Sequence, residues 1–244
     1  PLTVLASATT MVIMPKIVRH LHRGEKERAI SLWKDAFVLN YAVMAVMVFG
    51  IVTYAPEVIT ILYSEKYLPG VTVFRIYTLI LLLRTTYFGM ILNATGNTKY
   101  IFRVSVAQLC VNVVLNLIGC RWLGLIGPAI ATVIATFWGA YCLLRATAHE
   151  LSVPILSLLP IRALAGLTAI NFTFVFLFAG LKVVLPLDTA LAHICIALLA
   201  GRNAAAIGQC GESVLLGLVW VLLYAVLMYR PLRRKWDTMN QAGG

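Results

Sequence analysis

AFVLNYAVMAVMVFGIVTYA, residues 36–55, runs for a full twenty residues without a charge, and SVLLGLVWVLLYAVLMY, residues 213–229, repeats the pattern near the other end of the chain. A helix needs about 20 predominantly apolar residues to cross the hydrocarbon core of a bilayer, so these two stretches already place the chain in a membrane. The composition agrees. Of 244 residues, 61% are hydrophobic and 12% are charged, whereas soluble domains carry about 25% charged residues. Such a chain cannot cover itself with a water-compatible surface.

Working outward from these stretches, apolar runs between charged or turn-rich breaks predict spans near 1–16, 36–55, 72–95, 101–119, 124–144, 161–181 and 213–229. The fold class is therefore all-α, a polytopic transmembrane helix bundle. Because the chain opens on Pro1 inside an apolar run, it is expected to be a fragment lacking its own beginning. The formal charge of +11 is explained by topology and not by nucleic acid, since the basic residues sit between spans. Counted over alternate breaks and the tail, one side holds fourteen Lys and Arg and the other four, the four being Lys66, Arg121, Lys182 and Arg202. Cytoplasmic loops are enriched in these residues, so the rich side, with the tail RPLRRK, is expected to be cytoplasmic. LDTALAHICIALLAG, residues 187–201, is short for a crossing and is expected to be interfacial or re-entrant.

The strongest local signal is Arg84 in LILLLRTTYFGMIL, residues 79–92. On a continuous helix over 72–95 it stands about 20 Å from the start, near the bilayer midplane. An arginine there costs from about 2.5 to over 10 kcal/mol unless it faces a bundle interior or a wet cavity, so it is a candidate binding residue or an arginine bonded to helix carbonyls. Helical geometry sets Tyr77, Tyr87 and Thr95 near its direction, while Arg75 points away and close enough to the helix end to snorkel. In the next span Ser105, Gln108, Asn112 and Asn116 share one face. That stripe either bonds another helix or walls a cavity for a polar head group. Gly127, Ala131, Ala135 and Gly139 recur every four residues, a seam for close helix packing.

All nine acidic residues fall in breaks, the tail or span ends, so no proton or sodium relay of the mid-membrane carboxylate kind is visible. Phosphate-loop, zinc-protease and nucleophile-elbow motifs are absent from the sequence. Neither a cofactor nor a metal site is expected, and the chain is not expected to be an enzyme. The five cysteines lack metal or disulfide spacing and read as small buried hydrophobes.

The order of the breaks then becomes recognisable. PKIVRHLHRGEKER (Pro15 to Arg28), YSEKY (Tyr63 to Tyr67), ATGNTK (Ala94 to Lys99), NVVLN (Asn112 to Asn116) and GLIGPAIAT (Gly124 to Thr132) follow one another across residues 10–145. This series resembles the polysaccharide-biosynthesis flippases of the MOP superfamily, also called oligosaccharide or O-antigen flippases and related to multidrug and toxin extrusion (MATE) exporters. Pro128 replaces the alanine usual in the last motif, and residues 185–212 match no part of the pattern.

The resemblance implies a two-lobe transporter working by alternating access. Residues 1–147 would be the second six-helix lobe, and residues 148–244 the remaining and additional C-terminal helices with a basic cytoplasmic tail. The first lobe would be the missing partner. The implied activity is flipping of an undecaprenyl-diphosphate-linked oligosaccharide across the cytoplasmic membrane. Arg84 would take the diphosphate, with Tyr77, Tyr87, Gln108, Asn112 and Asn116 as further cavity residues and membrane lipids as the other partners. The alternatives are a MATE-type exporter of cationic drugs, which would want mid-membrane carboxylates, a membrane glycosyltransferase, and a non-transporting scaffold.

Overall fold

The structure, a computed structural model, describes residues 3–184 and 211–241; the 187–201 segment, Cys195 and Cys210 lie outside them. Every regular element among the described residues is helical. They are α1 (Thr3–His22), α2 (Lys26–Thr53), α3 (Ala55–Leu62), α4 (Val71–Leu83), α5 (Met90–Ala94), α6 (Thr98–Leu123), α7 (Gly127–Leu151), α8 (Ile155–Leu158), α9 (Ile161–Val184) and α10 (Gly211–Gln241), with 3-10 turns at Glu65–Gly70 and Gly124–Ile126. Five stretches are long and apolar enough to cross a membrane, namely 26–53, 65–83, 98–151, 161–180 and 216–239.

The 98–151 stretch crosses twice. Gly119 meets Gly127, Asn112 donates to Thr132 at 3.4 Å, and Gln108 reaches Gly139, so residues approach in reverse order and α6 and α7 form an antiparallel hairpin. The small-residue seam is its contact face: Gly127, Ala131, Ala135 and Gly139 are all buried. A Cβ on Gly127 would stand 2.0 Å from the Gly119 carbonyl oxygen, a backbone approach that no other residue permits.

α2 is the centre of the bundle. It is antiparallel to α1, joined through Gly24 at φ +75°, where the Glu25 N–H returns to the His20 carbonyl at 2.9 Å in the way glycine ends a helix. His20 is buried and its Nδ1 lies 2.7 Å from Glu25. Hydrogen bonding with His20, backed by Arg28, holds the Glu25 carboxyl below its ordinary range. One apolar cluster joins α1, α2, α5, α7 and α8 around Ile17, Trp33 and Leu158, and a second joins α2, α9 and α10 around Phe178 and Trp220. Trp220 stacks on Phe178 at 5.6 Å and on Phe174 at 6.1 Å. Lys235 pairs with Asp35, Lys16 Nζ donates to the Met239 carbonyl at 2.7 Å, and Lys26 Nζ to the Leu151 carbonyl at 3.4 Å. The basic ends of α1, α2, α7 and α10 thus meet at one end of the bundle, which the positive-inside rule makes cytoplasmic.

Several sequence boundaries move. α1 continues through Pro15 to His22, and α2 begins at Lys26, ten residues before the predicted span. The charged segment between them is helix on both sides of one tight turn, because Ala29, Ile30, Leu32 and Trp33 bury an apolar face while Lys26, Glu27 and Arg28 stay exposed. The basic tail is likewise helical, continuing α10 through Pro231 to Gln241. Charge marks where a helix leaves the hydrocarbon, not where it ends. The cysteine reading is also corrected: Cys110 and Cys120 are exposed and Cys142 is half-buried.

Gly127→Ala is expected to push α6 from α7 and lower the thermal midpoint of the detergent-solubilised chain by several degrees, since overpacking costs about 1–3 kcal/mol. Gly166→Ala, whose Cβ would meet nothing within 4 Å, is the control and should leave the midpoint unchanged or raised. Equal midpoints for the two variants would refute the close approach.

Candidate functional site

The predicted span 72–95 is two helices. α4 ends at Leu83 and α5 starts at Met90, with RTTYFG, residues 84–89, turning between them. Arg84 closes α4, its N–H bonded to the Leu81 carbonyl at 3.1 Å. Thr85 is fully buried and its hydroxyl donates to the Leu82 carbonyl at 2.9 Å. Broken helices at membrane depth are tolerated where the irregular backbone is buried in protein or lines a cavity, and here it does both.

The break forms one wall of a cleft of about 530 Å³. Leu83, Arg84, Thr86, Tyr87 and Phe88 come from the break, Ser7, Thr10 and Met11 from α1, Gln108 from α6, and Thr136, Gly139, Ala140 and Leu143 from α7. Gly139 is the middle residue of α7, twelve from either end, which puts it about 18 Å from each end of that helix. The cleft is therefore at mid-depth. Two glycines shape it. A Cβ on Gly139 would lie 2.2 Å from Gln108 Oε1, and one on Gly89 would lie 3.0 Å from the Tyr87 ring. Both polar side chains lie directly against these glycines.

Among the described residues Arg84 is the one charged residue in the lining. It is exposed to the cleft at the carbonyl-rich end of α4, where the helix dipole favours a cation. Around it are the hydroxyls of Thr86, Tyr87, Ser7, Thr10 and Thr136 and the Gln108 amide, set among Met11, Phe88 and Leu143. One cation, several neutral hydrogen-bonding groups and an apolar floor suit an anionic amphiphile with a polar head.

Of the residues expected at the site, the structure brings together Arg84, Tyr87 and Gln108 and leaves out Tyr77, Asn112 and Asn116. Tyr77 lies on α4 and is 43% exposed outside the cleft, because the direction it shares with Arg84 ends where the helix does. Asn112 donates to Thr132 on α7, and Asn116 donates to Asn112 Oδ1 at 2.7 Å within α6. Arg75 is tied to a neighbouring helix end. Its Nε donates to the Val52 carbonyl at 3.1 Å, at the end of α2. Ser7 and Thr10 join the lining from α1 without a place in the sequence reading. Their signal is the run of small polar residues in ASATT, residues 6–10, inside an otherwise apolar stretch. The break had one too, in the adjacent Thr85 and Thr86 followed by Gly89, all weak helix formers. Among the described residues no group of three His, Cys, Asp or Glu is placed to hold a metal ion.

A family profile described as Lipid II flippase MurJ matches residues 1–200, most of the chain, and no curated protein or solved structure matches significantly. The chain belongs to that family, a lipid-linked flippase family of the MOP superfamily, and is a multi-pass protein of the cytoplasmic membrane.

Single cysteines introduced into a cysteine-free background test the lining. Thr86→Cys and Gln108→Cys should react with a membrane-impermeant maleimide in vesicles of one orientation, while Tyr77→Cys and Asn112→Cys should not. Labelling of all four, or of the second pair alone, would show that the cleft is not the water-filled surface.

Proposed function

We propose that this chain, as a member of that family, supplies one lobe of a transporter that moves lipid II across the cytoplasmic membrane, with Arg84 holding the diphosphate of the lipid during passage. The oligosaccharide carriers expected from sequence and the lipid II of the family name share a polyprenyl diphosphate bearing sugars. Arg84 addresses that shared part. The single observation behind this reading is its position as the one charge among the described residues of a mid-depth cleft.

An intramembrane arginine without a carboxylate beside it is stabilised by an arriving anion, and charge-assisted bonds from guanidinium to phosphate are short and often bidentate. The hydroxyls and the Gln108 amide, whose bonds are neutral and adaptable, take the sugars. The break in α4–α5 follows a pattern common in transporters, in which discontinuous helices near the midplane carry the substrate site at the interface of two repeats. Residues 1–147 would form one such repeat, facing a second six-helix lobe across the cleft, and alternate exposure of the cleft would move the head group. No bond in the substrate changes, so the chain acts as a carrier and not as an enzyme. A MATE-type exporter of cations is disfavoured by the sign of the cleft.

In the full-length gene product, Arg84→Ala should fail to sustain growth of cells depleted of their own lipid II flippase at wild-type membrane levels. Arg84→Lys, which keeps the charge but loses the fork, should restore part of it. The unmodified protein should rescue that strain and not one lacking an O-antigen flippase. Rescue by Arg84→Ala would remove the residue from the site, and the reverse pattern of rescue would return the substrate to oligosaccharide carriers.

A further inference from the structure

A second concavity lies on the opposite side of α2, between it and α10. Leu39, Val43 and Val46 form one wall and Val221, Met228 and Leu232 the other, enclosing about 540 Å³. It is continuous with a further groove toward the outer end, because Val46, Met47 and Val221 line both. At the cytoplasmic end the character changes. Arg233 and Trp236 close the groove together with Tyr229. Arg233 Nη1 donates to the Tyr229 hydroxyl at 2.9 Å and its guanidinium lies 5.7 Å from the centre of that ring. The arginine is thus held in place at the groove mouth while remaining exposed.

This end coincides with the edge of the hydrocarbon. Asp35 pairs with Lys235 one turn below Leu39, so the groove wall begins where α2 changes from charged to apolar. Tyr229 and Trp236 are 58% and 42% exposed, at the level where tyrosine and tryptophan anchor membrane proteins. An apolar groove in a bilayer has no preference among lipids by itself, since lipid tails are as apolar as its walls. A fixed cation at its cytoplasmic mouth supplies one. Lys235 is taken by Asp35, and Arg233 is the charged residue among the described lining of the groove.

We infer that the α2–α10 groove is a binding site for an anionic phospholipid of the cytoplasmic leaflet, with an acyl chain along Leu39, Val43, Val221 and Met228 and the phosphate on Arg233. The site is separate from the cleft around Arg84 and makes no use of the transport reading. The negatively charged cytoplasmic leaflet supplies such lipids, and each basic residue near its surface is worth about a fivefold preference.

The test uses the full chain in vesicles of phosphatidylcholine containing graded phosphatidylglycerol, with brominated acyl chains on one lipid at a time. Quenching of the Trp236 signal, taken as the difference from Trp236→Phe, reports occupancy of the groove mouth. Brominated phosphatidylglycerol should quench about fivefold more effectively than brominated phosphatidylcholine. Arg233→Gln should remove that preference, and Arg230→Gln, which deletes the same charge outside the groove, should keep it. Ala225→Phe, filling the groove from α10, should reduce quenching by both lipids. Equal losses in Arg230→Gln and Arg233→Gln would mean diffuse surface attraction and overturn the site. So would a preference that survives Arg233→Gln. Absence of quenching by either lipid would mean that protein covers the groove, and would overturn it equally.

Discussion

No water reaches the hydrocarbon core to satisfy an unpaired peptide group, and each one left bare there costs several kcal/mol. That constraint makes every described element of this chain a helix. It also gives meaning to the place where the helix stops. RTTYFG, residues 84–89, interrupts a crossing at mid-depth, and the interruption stands because Thr85 is buried with its hydroxyl on the Leu82 carbonyl and because α1, α6 and α7 enclose the rest. The cleft, the placement of Arg84 and the glycines at 89 and 139 all depend on that one break.

The remaining helices serve it in different ways. The α6–α7 hairpin is held by direct backbone contact at Gly119 and Gly127, which brings Gln108 and Thr136 to the same depth. α2 holds the bundle together by packing on α1 and α4 on one side and on α9 and α10 on the other. Its two faces therefore border different things: the first packs on helices that enclose the cleft, and the second, with α10, forms an apolar groove. The basic cytoplasmic ends are tied across by Lys16, Lys26 and Lys235, so the residues that set topology also lock the ends of the helices to one another.

Charge and polarity alone misled in instructive ways. Lys26, Glu27 and Arg28 looked like a loop and are the first turn of α2; Arg230 to Lys235 looked like a tail and are helix. A charged residue on a helix that emerges from the bilayer is solvated without unwinding it. For Asn112 and Asn116 polarity left helix bonding and cavity wall both open, and they bond Thr132 and each other, since whether a polar stripe faces a neighbour or a void depends on where the next helix passes.

The sequence by itself determined that the chain is a polytopic helical membrane protein and which superfamily its breaks follow, because hydrophobic length and turn residues are local properties of the chain. The tertiary structure alone decided that the span of Arg84 is broken, that Tyr87, Gln108, Ser7 and Thr10 join it while Tyr77, Asn112 and Asn116 do not, and that Arg75 caps α2. Those outcomes turn on which helices approach at one depth, and that is settled by packing between segments distant in sequence, from Ser7 on α1 to Gly139 on α7.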